Sequence, residues 1–130
     1  MAFAGSCHCG AVRVEVPFPP GENPERPWLA SCNCSICRRS GALMAYHPDD
    51  GSVEVTGETR AYIHGDRMIA FFHCPVCACH THWESTGESY GRIGVNARLL
   101  DRFAVTAAGP TFDGEAVEVR FMDNAGPPAT

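Results

Sequence analysis

The stretch Cys7-His8-Cys9-Gly10-Ala11-Val12-Arg13-Val14-Glu15-Val16 places two thiols one residue apart, then alternates valines with charged residues. Alternation at period two predicts a strand with one face buried. The thiol pair predicts a metal ligand. Cysteines one or two residues apart rarely satisfy disulfide geometry with each other, yet they readily aim at one shared ion. Two further groups lie downstream, Cys32-Asn33-Cys34-Ser35-Ile36-Cys37 and Cys74-Pro75-Val76-Cys77-Ala78-Cys79, and the three groups hold all eight cysteines of a 130-residue chain.

A disulfide framework would require a secreted chain, and Met1-Ala2-Phe3-Ala4-Gly5 has neither a basic n-region nor an apolar h-region. Reduced thiols in the cytoplasm are therefore expected. No apolar run approaches the ~20 residues that span a bilayer, so a soluble protein with no membrane partner is expected. The formal charge is −5 before any cysteine ionises. Nucleic-acid binding depends on clustered cations that release counterions, whereas the arginines here are scattered. That argues against a zinc-ribbon nucleic-acid reader.

The remaining pattern predicts a mainly β chain in one domain over residues 1–123. Val117, Val119 and Phe121 alternate with Glu118 and Arg120 in the manner of the first strand. Short β-rich runs are read at 43–46, 53–55, 61–63, 68–73 and 93–95, with turns at Gly51, Gly57, Gly65, Gly87 and Gly91. One short helix is expected after Cys37, through Arg38-Arg39-Ser40. Residues 17–27 hold five of the ten prolines and read as a surface loop. Residues 124–130 read as a flexible tail.

A closed structural zinc site takes four ligands, whereas a catalytic one keeps a position open. Cys7 and Cys9 with Cys74 and Cys77 make a complete set of four. Such a site ties the start of the chain to its middle and adds folding energy to a modest core. Cys32, Cys34 and Cys37 supply three thiolates without an obvious fourth ligand. A purely structural second site would need Cys79, His8, His73 or His80 to complete it.

Three segments carry a resemblance to a known family: Gly5-Ser6-Cys7-His8-Cys9-Gly10-Ala11-Val12, Cys32 to Gly41, and Phe72-His73-Cys74-Pro75-Val76-Cys77. A fourth is Gly94-Val95-Asn96-Ala97-Arg98-Leu99-Leu100-Asp101. In order and spacing they resemble the glutathione-dependent formaldehyde-activating family, which includes the centromere-protein-V-like domain. The resemblance implies a zinc-stapled, Mss4-like (β-tent) fold with at most short helices and two Zn²⁺ sites. It places Cys7, Cys9, Cys74 and Cys77 on a structural ion. It places Cys32, Cys34 and Cys37 on the ion that meets a thiol substrate, with Cys34 reacting most directly. The implied activity is that of a carbon-sulfur lyase or synthase acting on a glutathione-aldehyde adduct of the S-hydroxymethylglutathione type. Arg38 and Arg39 are candidates for a glutathione carboxylate.

Two residues depart from the family pattern. Ala78 stands where a knuckle glycine usually supplies φ > 0. Cys79 has no role in a seven-ligand scheme, and a small buried hydrophobe, a fourth ligand and a redox handle are all open to it. The rival class is a non-catalytic zinc module or glutathione carrier that engages a partner. A redox enzyme of the methionine sulfoxide reductase kind is disfavoured, because nearly every thiol is needed as a ligand.

Overall fold

The computed structural model describes residues 3–17 and 28–124. The proline-rich segment, apart from Pro17, and the tail beyond residue 124 lie outside the described residues. Within them the chain is mainly β, as expected, with one short α-helix and one 3₁₀ turn at Ala97–Leu99.

The valine alternation does form a strand. Strand β1 (Phe3–Ser6) pairs antiparallel with β2 (Arg13–Val16), and β5 (Glu54–Thr56) extends this small sheet. Val12, Val14 and Val16 are fully buried while Arg13 and Glu15 face water. Val14 and Val16 meet Leu29, Ala45 and Val95 of a second, larger sheet, together with Phe3, Leu99 and Phe112, while Val12 packs with Cys7 and Cys74. That interlayer cluster is the main core, and its removal from water is the largest stabilising contribution to such a sandwich.

The larger sheet has seven strands. In spatial order they are β13 (Glu118–Met122), β3 (Trp28–Cys32), β4 (Met44–Pro48), β9 (Arg92–Asn96), β8 (His80–Ser85), β7 (Ile69–His73) and β6 (Arg60–Ile63). All neighbours run antiparallel except β13 on β3. A third small sheet joins β10 (Phe103–Thr106), β11 (Gly109–Phe112) and β12 (Glu115–Ala116).

Two expectations are corrected. The helix α1 spans Ser35–Ser40 and so starts inside the second cysteine group, not after it. Cys34 caps it: its Sγ accepts from the Cys37 backbone N–H at 3.4 Å, satisfying a donor that the first turn would otherwise orphan. Gly41, at φ 73, closes the other end by donating its N–H to the Cys37 carbonyl. The second correction concerns β13. Its alternation does not mark a half-buried strand, since Val119 is 41% and Phe121 67% exposed. As an edge strand among the described residues it packs through backbone pairing with β3, and no described strand or helix is layered over those side chains.

The outer face of the large sheet carries a second apolar cluster. Trp28, Met44, Tyr46 and Trp83 are buried there, with Ile69, Phe71 and Met122 packed against them. Tyr46 stands edge-on between Trp28 and Trp83, with ring centroids at 5.5 and 6.0 Å. Gly94 makes this possible. Its position is covered by the Trp83 indole, and a Cβ there would collide with Nε1. Two residues on, Asn96 ties β9 to its surroundings: its amide donates to the His80 carbonyl at 2.9 Å and its Oδ1 accepts from the Arg98 N–H.

Candidate functional site

Two tight turns bring the first and third cysteine groups together. In one, the Gly10 N–H donates to the Cys7 carbonyl and the Val12 N–H to the Cys7 Sγ, at 3.1 and 3.3 Å. In the other, the Ala78 N–H donates to the Cys74 carbonyl and the Val76 N–H to the Cys74 Sγ, at 2.9 and 3.4 Å. Ala78 takes φ 65 to close its turn, the left-handed conformation that glycine adopts without cost.

Between these turns the sulfurs of Cys7, Cys9, Cys74 and Cys77 lie within 4.8 Å of one another. Cys9 Sγ is 3.7 Å from Cys7 Sγ and 3.6 Å from Cys74 Sγ. These separations are far longer than a disulfide. Zn–S bonds near 2.3 Å would set tetrahedral corners roughly 3.8 Å apart, so the spacing fits a tetrahedral ion. The acidities agree. Backbone N–H groups of Cys9 and Cys79 hold the Cys77 thiol down at about 5. At Cys9 the Ala11 N–H favours the thiolate, but desolvation and the neighbouring sulfurs outweigh it and push the thiol up to about 11. Four thiolates cannot share this space without a cation between them.

The second group is built by the end of β3 and the start of α1. Cys32, Cys34 and Cys37 also have sulfurs within 4.8 Å of one another, and no fourth Cys, His or carboxylate among the described residues joins them. Cys79, His8, His73 and His80 are in neither group. The Cys32 Sγ accepts from the Cys34 N–H and from Asn124 Nδ2, each at 3.4 Å. Burial, then the neighbouring Cys34 and Cys32, push the Cys37 thiol far up. Three sulfurs of this kind fit a metal ion with one coordination position left to a ligand.

The three cysteines line open space. A cavity of about 830 Å³ runs from Cys32, Cys34 and Cys37 across the outer face of the large sheet. Its floor includes Met44, Tyr46, Ile69, Phe71 and Trp83; Arg92, Asp66, Tyr90 and Asn124 also line it. The Arg92 guanidinium lies 4.7 Å over the Tyr46 ring. Burial, followed by the nearby cysteines, raises the Tyr46 phenol to about 12, so it stays a neutral donor. Arg38 and Arg39, the arginines singled out in the sequence, are exposed on α1 and outside the cavity lining, and Arg39 Nη1 donates to the Ser35 carbonyl at 3.0 Å. Arg92 escapes a reading of the sequence because it opens a short strand two residues before the Gly94 segment and belongs to no ligand or charge pattern itself. Its place in the site becomes visible only when β9 is set beside β4.

Comparison with known proteins points the same way. The family model described as "Glutathione-dependent formaldehyde-activating enzyme" matches residues 2–114. A crystal structure of a structural-genomics target from Rhodobacter sphaeroides superposes with a TM-score of 0.66 at 28% identity, covering 90% of this chain and 99% of that one. No curated protein matches the chain.

Proposed function

The chain belongs to the glutathione-dependent formaldehyde-activating family, and from that premise we propose that it is a zinc-dependent carbon-sulfur lyase or synthase acting on a glutathione-aldehyde adduct. The observation that carries this reading is the three-sulfur group of Cys32, Cys34 and Cys37, which lacks a fourth protein ligand among the described residues and opens into a cavity large enough for a tripeptide thiol.

Each site then has its own task. Cys7, Cys9, Cys74 and Cys77 hold a structural Zn²⁺, and Cys32, Cys34 and Cys37 hold a second Zn²⁺ beside the cavity. When bound there, the ion neutralises a sulfur ligand's charge and lowers a thiol's pKa to the neutral range. Cys34 is the residue assigned to meet the incoming thiol. Its backbone N–H and the Asn124 amide steady Cys32, while the Cys37 N–H steadies Cys34 itself. These contacts restrain the sulfurs in one arrangement.

In the synthase direction a sulfur–carbon bond forms at the aldehyde carbon, the carbonyl π pair moves to oxygen, and oxygen takes up the proton the thiol gives up. The lyase direction is the reverse. Arg92, over the Tyr46 ring, is assigned one carboxylate of glutathione, and Arg38 and Arg39, exposed on α1, the other. Eight free thiols suit a reducing compartment such as the cytoplasm. No described helix is long and apolar enough to cross a membrane.

The test is exchange spectroscopy on an equilibrated mixture of glutathione and formaldehyde. Wild-type protein with both metals bound should accelerate adduct exchange, and Cys34→Ser should not. Exchange at the uncatalysed rate with wild-type protein rejects the catalytic reading in favour of a binding module.

A further inference from the structure

The aromatic wall of the cavity is larger than a formaldehyde adduct can use. Three strands of the large sheet contribute to it: Tyr46 from β4, then, beyond the intervening β9, Trp83 from β8 lying across Gly94, then Phe71 with Ile69 from β7. Neighbouring strands stand about 4.8 Å apart, so the four strands β4, β9, β8 and β7 make an apolar floor roughly 14 Å wide. Glutathione is a poor match for that floor. It carries two carboxylates, an ammonium and two amides, and burying these is costly against a floor whose side chains Met44, Tyr46, Ile69, Phe71 and Trp83 offer no more than the Tyr46 hydroxyl and the Trp83 indole N–H as donors. Its partners are the polar groups of the lining, Arg92 together with the exposed Asp66 and Asn124. A hydroxymethyl group adds one carbon to the sulfur and covers almost none of the wall.

Taking the proposed adduct chemistry as its basis, we infer that this site is selective for adducts of apolar aldehydes, aromatic or medium-chain aliphatic, whose carbon substituent lies on Trp83, Phe71 and Ile69. The peptide half of the adduct keeps its charged ends at the polar lining, and the sulfur remains at Cys32, Cys34 and Cys37. The reaction is unchanged in balance: the sulfur bonds to the carbonyl carbon, and oxygen accepts the proton lost by the thiol. Only the group on that carbon grows, and with it the apolar area that leaves water on binding.

The experiment compares glutathione with formaldehyde, hexanal and benzaldehyde in turn, using exchange spectroscopy on the zinc-loaded full chain. The expected result is a kcat/KM at least tenfold higher for the hexanal and benzaldehyde adducts than for the formaldehyde adduct. Phe71→Ala and, separately, Ile69→Ala should bring that ratio toward one. A ratio cancels any loss of folded protein, and two variants guard against one that does not fold. Turnover of all three adducts without preference, or with formaldehyde preferred, overturns this inference and leaves the proposed function standing. Absence of turnover with every aldehyde overturns both. A preference that survives both substitutions shows that this wall does not select the substrate.

Discussion

The Sγ atoms of Cys9 and Cys74 lie 3.6 Å apart although 65 residues of chain separate them. One ion between them would close that long loop and join the small sheet to the start of the β7–β8 turn. A metal that binds only the folded arrangement adds its binding free energy to stability. Cys9→Ser is the informative variant, because Cys9 is exposed and its loss disturbs no packing. With Cys7→Ser and Cys74→Ser, it should cost several kcal/mol, or roughly 10–20 °C in Tm for a domain of this size. Each should also lose one zinc per chain. Calorimetry with metal analysis checks this, and wild-type Tm in all three variants would show that the site is not structural.

The second cysteine group should respond in the opposite sense. Cys34 caps a helix of only six residues, and its neighbours Cys32 and Cys37 remain when it is changed. Serine keeps a side-chain acceptor at the cap, so Cys34→Ser should lower stability by less than about 1 kcal/mol. It should nevertheless weaken or empty the second metal site and abolish glutathione-dependent exchange. Equal losses of Tm in Cys34→Ser and Cys9→Ser would instead mark both sites as structural.

How much of this is legible in the sequence follows from the range of the forces involved. The four-sulfur and three-sulfur groupings are readable because close spacing fixes which sulfurs can converge. The valine strand is readable because alternation records one buried face. β8 is not, since His80, Thr81, His82 and Glu84 look polar even though Thr81, His82 and Trp83 are buried. Thr81 and His82 satisfy each other at 2.9 Å, and the His82 ring stacks on Phe72 at 4.5 Å, contacts that only the sheet creates. The exposed face of β13 misleads for the same reason, because alternation does not say whether a layer exists to cover it. The cavity depends on Gly94, Trp83 and Tyr46 meeting across three strands, which no local pattern encodes.

Ala78 offers a gain of stability. Its φ of 65 carries a penalty of about 1–2 kcal/mol for a residue with a Cβ. Glycine would remove that penalty but raise the entropy of the unfolded chain by about 0.4–1 kcal/mol. Relief of strain outweighs the added entropy, and the site is exposed, so no packing is lost. Ala78→Gly should therefore be more stable by about 0.5–1 kcal/mol in denaturant unfolding, at unchanged zinc content. A less stable variant would mean that the turn holds Ala78 without strain.

His47 predicts a pH dependence. It is fully buried, and burial lowers its pKa from 6.5 to about 4. Above pH 6.5 both folded and unfolded chains are neutral at this residue. As pH falls from 6.5 toward 4 the unfolded chain binds a proton that the folded chain refuses, so stability is lost across that window. By about pH 5 the loss should reach about 2 kcal/mol. His47→Gln cannot titrate, and thiolate protonation affects both proteins alike. The fall in unfolding free energy between about pH 7.5 and pH 5 should thus be about 2 kcal/mol smaller in the variant. Equal falls would show that His47 accepts its proton in the folded state.

Recognition of glutathione is tested at the arginines. Arg92 lies over the Tyr46 ring and lines the cavity, whereas Arg38 and Arg39 sit exposed on α1, outside the cavity lining. A charged hydrogen bond in the cavity is worth about 1.5–3 kcal/mol, and an exposed ion pair about 0.2–1 kcal/mol. Arg92→Met keeps an aliphatic stem over the ring while removing the charge, so it should weaken glutathione binding by at least tenfold in calorimetry at matched zinc content. Arg38→Ala and Arg39→Ala should each weaken it by no more than about fivefold. The diethyl ester of glutathione separates charge recognition from packing, because it presents no carboxylate. Arg92→Met should bind that ester as the wild type does. Were the ester to lose as much affinity as glutathione itself, Arg92 would be acting through the shape of the cavity, and the carboxylate would have to be met elsewhere.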